Sequence, residues 1–99
     1  MNEFTLTGTC IGDLEVHTTP RGNKYGRFPL SVKRGYREKD GTYPRDTYEI
    51  TVAYLLDEDE DLIKRDTPLT VHGHISSLDY LDEKYSLVAD VVKDLRSLN

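Results

Sequence analysis

The residues with the most chemical potential lie close together. Between residues 21 and 48, eight basic side chains (Arg21, Lys24, Arg27, Lys33, Arg34, Arg37, Lys39, Arg45) stand against three acids (Glu38, Asp40, Asp46), a local charge of +5. The total is −5, so the remainder of the chain carries −10. Local charge, more than the total, sets which ligand a face attracts. Within this basic segment, YREKDGTYPRDTY (36–48) places tyrosines at 36, 43 and 48, and seven of the nine aromatic residues in the chain are Tyr. Lysine and arginine neutralise phosphates, while unpaired bases stack on aromatic rings at about 1–3 kcal/mol each. The interleaving of the two types therefore points to a sequence-tolerant site for single-stranded nucleic acid. Two plainer accounts stand beside it. A solvated strand surface explains part of the basic excess, and tyrosine's strand propensity makes any single ring more often packing than platform.

Other chemistry is poorly supported. His72 and His74 point the same way from one strand, as two metal ligands would. No third ligand is positioned by any motif, so no metal is assigned. Asp57 to Asp61 form a run of consecutive acids, whose side chains fan around a helix instead of converging. There is no serine–histidine–acid set, glycine-rich phosphate loop or CxxC pair. No catalytic residue and no cofactor are expected. Cys10 is the single cysteine, which excludes an internal disulfide framework and suits a reducing cytoplasm; it reads as a buried, inert thiol. No apolar run approaches the roughly 20 residues that span a bilayer, and MNEFTLTGT lacks a basic segment followed by an apolar stretch. The expectation is a cytoplasmic protein with no membrane partner.

The elements that must position the basic segment read as follows. Ninety-nine residues make one domain, 1–99. Residues 4–10 alternate Phe4, Leu6, Gly8 and Cys10 against threonines, a half-buried strand, continued by 14–18 beyond a break at Gly12-Asp13. TTPRGN (18–23) is a turn. The next strand sets Phe28, Leu30 and Val32 against Arg27, Ser31 and Lys33, and Pro29 within it implies an edge or a bulge. Asp40-Gly41 signals a two-residue hairpin turn, with a return strand from about Tyr43 to Tyr54. LLDEDEDLIKRD (55–66) reads as a short helix, acids in its first turn and Lys64 and Arg65 in its last; its acids are a solvated face or, less simply, a docking patch. Leu69, Val71, Gly73 and Ile75 then alternate against Thr70, His72, His74 and Ser76. Asp82-Glu83 marks a tight turn, and Tyr85 to Leu95 forms the last strand. The fold class that follows is all-β: a five-stranded, closed barrel of the OB type, with one short helix between strands 3 and 4. An open five-stranded sheet with one helix is the competing architecture.

With these segments in place, the sequence resembles the bacterial single-stranded DNA-binding protein family over almost its whole length. FTLTGTCIGDLEVHTTPRG resembles the family's first strand, bend and turn, with GDLEVH in place of the usual Asp-Pro-Glu version. PLSVKRGYREKDGTYPRDTYEITVAY resembles its second strand, basic hairpin and third strand, and LTVHGHISSLDY its fourth strand with an internal glycine, here Gly73. The resemblance implies stacking platforms at four positions, all tyrosine here: Tyr36 where the second strand enters the hairpin, Tyr48 where the third leaves it, Tyr54 at the third strand's end, and Tyr80 at the fourth-strand hairpin. Tyr48, Ile50, Val52 and Tyr54 share a parity, so Tyr54 is expected half exposed unless a bulge or strong twist intervenes. Family members with the main replication role carry a long acidic-tipped tail. This chain stops at VVKDLRSLN and so also resembles the tail-less primosomal relatives and tail-less forms from phages or mobile elements.

The expected function is single-stranded DNA binding in replication, recombination or transfer. Lys24, Arg27, Lys33, Arg34, Arg37 and Arg45 would contact phosphates, and Tyr36, Tyr48, Tyr54 and Tyr80 would stack on bases. The resemblance further implies a homo-oligomer, dimer or tetramer, with replication or primosome proteins as possible partners. The alternative is an OB-fold interaction subunit, a primosome-like adaptor with little DNA affinity; it is motivated by the net −5 charge and the absence of tryptophan.

Overall fold

A computed structural model of the chain describes residues 1–78 and 85–97. Six strand segments, β1 (Phe4–Cys10), β2 (Glu15–Thr18), β3 (Lys24–Lys33), β4 (Arg45–Val52), β5 (Pro68–Ser76) and β6 (Ser86–Asp94), are joined by one helix, α1 (Asp57–Leu62), and end in a 3-10 turn at Leu95–Ser97. The sheet order is β1-β5-β6-β4-β3-β2, and β1 also pairs with β3. That last pairing, Thr9↔Ser31 and Cys10↔Leu30, closes the ring. β4 and β6 meet in parallel at Ile50↔Leu87 and Thr51↔Val88, while every other pair is antiparallel. The result is a closed, mixed five-stranded barrel with one short helix between its third and fourth strands. Its first strand is divided by the bend at residues 11–14 into β1 and β2. Closure excludes the open-sheet alternative.

The barrel follows from period-2 alternation. Phe28 and Leu30 of β3, Ile50 and Val52 of β4, and Leu69 and Val71 of β5 all point inward and are buried, together with Cys10 and Ile63. Each such side chain, fully withdrawn from water, contributes about 1.5–3 kcal/mol. Two glycines permit close backbone approaches. A Cβ at Gly8 would collide with the Ser31 carbonyl where β1 passes β3, and one at Gly73 would collide with the Val88 carbonyl. The second site adjoins the register shift between His72 and Gly73.

Three local expectations change. Pro29 lies within a doubly flanked strand, not at an edge. The Pro29 carbonyl accepts from Ile11 N–H at 3.1 Å, on the side of the β1–β2 bend. Since N and C=O of one strand residue face the same neighbour, the missing N–H falls where the ladder is interrupted, between Arg27↔Glu15 and Leu30↔Cys10. The helix is shorter than 55–66, and neither Lys64 nor Arg65 lies in its last turn. Its first turn is closed by the Asp59 carboxylate, which accepts from Leu56 N–H at 2.9 Å. Finally, β3 and β4 separate after Lys33↔Arg45, so the hairpin loop is 34–44 and not a two-residue turn. Only its tip is tight: Gly41 N–H donates to Glu38 C=O (3.0 Å), Glu38 N–H donates to Thr42 C=O (2.7 Å), and Gly41 has φ +90. Asp40 does not adopt positive φ. A three-residue loop ending in left-handed glycine replaces the turn that Asp-Gly alone suggests.

Candidate nucleic-acid interface

The β3–β4 hairpin carries most of the expected site residues, and alternation sorts them onto two surfaces. On the face turned away from the core, Arg27 faces Thr51, Ser31 faces Thr47, and Lys33 faces Arg45, with Ser31 and Thr51 themselves buried there. On the opposite surface, Leu30 faces Tyr48 and Val32 faces Asp46. Where the hairpin runs past the barrel end, this second surface leaves the core and becomes accessible; Arg34, Tyr36 and Asp46 meet there.

The tyrosines differ in how far they are free to stack. Tyr36, beyond the end of β3, is 51% exposed. Tyr48 is half-buried, packed against the core opposite Leu30. Tyr54 is 80% exposed, more than its parity suggests. The reason is local: β4 ends at Val52, the chain bends at Ala53–Tyr54, and Leu55 N–H bonds Lys24 C=O at 3.2 Å while its side chain packs on the core. The bend turns Tyr54 outward, and the half-exposed ring is Tyr48 instead. Tyr80 lies outside the described residues. Tyr48 lies within β4 and Tyr54 two residues beyond its end. Tyr36, Tyr48 and Tyr54 thus lie on three separate segments, a loop, a strand and a bend. A concavity of about 420 Å³, lined by Asp13, Leu14, Val16, Glu60, Ile63, Lys64 and Arg65, contains none of them.

The cations differ as well. Lys24 and Arg37 are exposed and form no ion pair among the described residues. Lys33 Nζ lies 5.2 Å from the centre of the Tyr43 ring, a cation–π contact that leaves its charge available and gives Tyr43 a packing role. Arg27 Nε sits 4.0 Å from the Glu49 carboxylate. Arg45 turns back onto β3, donating from Nε to Ser31 Oγ (2.7 Å) and from Nη2 to the Ser31 carbonyl (3.0 Å). Arg34 is the most engaged. Its Nε and Nη2 grip both oxygens of Asp46 at 3.0 and 2.9 Å, and its Nη1 donates to the Tyr36 hydroxyl at 2.8 Å. The Arg34 hydrogen bond holds the Asp46 carboxyl below the usual aspartate range, and the carboxylate and phenol together push the guanidinium's pKa still higher.

Sequence reading misses two features. His17 and Tyr25 stack across β2 and β3, ring centres 5.2 Å apart at 23°, on the exterior face with Arg27. Their positions flank the Thr19–Asn23 turn symmetrically, so counting outward from it pairs them. Tyr85, just before β6, is 66% exposed; only the Asp82-Glu83 turn signal beside it, which lies outside the described residues, hints at that. The two strand histidines have separate partners. His72 Nδ1 pairs with Thr5 Oγ1 (2.8 Å), and His74 Nδ1 with Asp90 Oδ2 (2.9 Å). Cys10 is buried, its Sγ 3.0 Å from the Gly12 carbonyl, and burial pushes its thiol pKa up. Among the described residues no helix is long and apolar enough to cross a membrane.

No protein-family model matches the sequence, and no curated protein does either. Solved structures do match. A deletion mutant of the single-stranded DNA-binding protein from Thermus aquaticus superposes with TM-score 0.73 at 17% identity, over 99% of this chain and 52% of that one. The protein PriB from Ralstonia solanacearum superposes with TM-score 0.69 at 17% identity, over 95% of this chain and 98% of that one. This chain therefore spans about half of the Thermus chain and nearly all of PriB. At such identity the likeness concerns the fold, which is the OB barrel of these two proteins.

Proposed function

We propose that this chain is a non-catalytic module that binds single-stranded DNA through base stacking on exposed tyrosines and phosphate contacts from the β3–β4 hairpin, in replication, recombination or transfer. One observation carries the reading. A closed barrel carries a hairpin of locally positive charge whose ends and flanks hold accessible tyrosine rings, Tyr36 and Tyr54 above all. Tyr36, Tyr48 and Tyr54 are the platforms within the described residues, and Tyr80 is the fourth by resemblance alone. Lys24, Lys33 and Arg37 are the cations best placed for phosphate, followed by Arg27; Arg34 and Arg45 have internal partners. The fold shared with a single-stranded DNA-binding protein and with PriB favours the same function, and by the same analogy the working form is a homo-oligomer in the cytoplasm.

Titration of oligo-dT, followed by tyrosine fluorescence across a salt series, tests the proposal. Each phosphate contact on a single strand contributes about −0.7 to the slope of log K against log salt. Two to four contacts give a slope of about −1.4 to −2.8, shallower than six contacts would. Quenching with that slope supports the reading, and absence of binding at low salt overturns it. The second reading, a protein-interaction subunit, draws on the −10 charge outside the basic segment; it predicts no oligo-dT binding at any salt.

A further inference from the structure

The position of Arg34 within the hairpin suggests a role other than holding phosphate. Its guanidinium has five N–H donors in a rigid plane. Two nitrogens, Nε and Nη2, make the bidentate fork with Asp46 at 3.0 and 2.9 Å, and Nη1 donates to the Tyr36 hydroxyl at 2.8 Å. Its Asp46 end and its centre at Arg34 are fixed to the scaffold. Asp46 belongs to β4, opposite Val32, and the Arg34 backbone N–H donates to the Pro44 carbonyl at 2.8 Å. A phosphate approaching Arg34 would compete with a bidentate carboxylate that already neutralises its charge. The Tyr36 ring, in contrast, gains a second anchor. It is tethered at Cα by the chain and at its hydroxyl by Arg34, while half of its surface stays open.

We infer that Arg34 is a positioning residue that, anchored by Asp46, holds the Tyr36 ring by its hydroxyl in a stacking-ready orientation. This rests on the reading of Tyr36 as a base platform. Immobilising a ring before the ligand arrives removes an ordering cost from binding, and the cost for one side chain corresponds to about 3- to 10-fold in affinity. The order of action runs from Asp46 through Arg34 to Tyr36, and only the last of them touches a base.

This chain differs from a phosphate-contact account in sign as well as size. Removing the carboxylate with Asp46→Asn would free Arg34 for phosphate and tighten binding if Arg34 were a phosphate contact. If Arg34 is a positioning residue, the same change loosens Tyr36 and weakens binding. Lysine at position 34 keeps a charge for phosphate but cannot reproduce the planar fork to Asp46 and Tyr36.

The experiment is oligo-dT affinity across a salt series for the unaltered chain and for Arg34→Met, Arg34→Lys, Asp46→Asn, Tyr36→Phe and the Arg34→Met/Tyr36→Phe double variant, with thermal melts to confirm folding. Expected is a 3- to 10-fold loss in each single variant at an unchanged salt slope, Arg34→Lys being no better than Arg34→Met. The double variant should be no weaker than Tyr36→Phe alone, because both remove the same bond. Three results overturn the inference while leaving the proposed function intact: a slope reduced by about 0.7 in Arg34→Met, tighter binding by Asp46→Asn, or full affinity in Tyr36→Phe. Absence of binding by the unaltered chain overturns both.

Discussion

Tyr48 and Tyr54 offer a sharp test, because the structure gives two rings of one chemical type opposite environments, one within β4 and one just past its end. Tyr54 is 80% exposed beyond the end of β4, whereas Tyr48 is half-buried on the core opposite Leu30. Truncating an exposed side chain that packs on nothing changes stability by no more than about 0.5 kcal/mol. Truncating a fully buried large aromatic costs about 3–5 kcal/mol, so a half-buried ring is worth roughly 2 kcal/mol. For a domain of this length that lowers Tm by about 10 °C. As base platforms, each ring would add about 1–3 kcal/mol of binding, or about 5- to 150-fold in affinity. Tyr54→Ala should therefore melt with the unaltered protein but bind oligo-dT at least fivefold more weakly. Tyr48→Ala should lose both stability and affinity. Neither removes a charge, so the salt slope should stay unchanged in both. Thermal melts by circular dichroism and oligo-dT titrations at two salt concentrations supply the four numbers. The reasoning fails if Tyr54→Ala binds within twofold of the unaltered protein, or if Tyr48→Ala melts at the same temperature.

Three further outcomes follow from the same geometry. Gly73→Ala forces a Cβ into the Val88 carbonyl, with the Phe4 ring close by, and should cost about 3 kcal/mol, the upper part of the overpacking range, because backbone cannot yield as a side chain does; an unchanged Tm would refute so close a β5–β6 approach. Arg37→Ala should reduce the salt slope of oligo-dT binding by about 0.7, whereas Arg45→Ala, with its donors committed to Ser31, should leave the slope alone and lower Tm instead. Asp46 is held below the ordinary value of 3.8 by its Arg34 hydrogen bond. The pair's contribution is present above that value and is lost only as pH falls through the lowered one. A carbon-detected NMR titration should place the Asp46 midpoint under 3.8 and return it there in Arg34→Met; a midpoint at or above 3.8 in the unaltered chain contradicts the clamp.

Much of the fold is legible in the residue order. Phe28, Leu30, Ile50, Leu69 and Val71 announce their buried faces by alternation, and each is buried. The basic character of 21–48 and its tyrosines are equally plain from the sequence. Harder to read are the places where local preference meets a tertiary constraint. Asp40-Gly41 suggests a tight two-residue hairpin, but the strands part at Lys33↔Arg45 and the turn moves to the loop tip. Pro29 suggests an edge or a bulge, and what it receives is a gap in the ladder of a flanked strand.

The sequence by itself determined the strand periodicity, the location of the basic segment and the absence of a recognisable catalytic motif, because these depend on residue type and spacing along one chain. Only the tertiary structure decided which members of that segment are available to a ligand. Tyr54 faces solvent because β4 ends at Val52 and the next residue to pack is Leu55. Arg34 and Arg45 hold neighbours because closing the hairpin brings Asp46 and Ser31 within hydrogen-bond reach. A charge or a ring can be counted from sequence, but its availability depends on what the folded chain sets beside it.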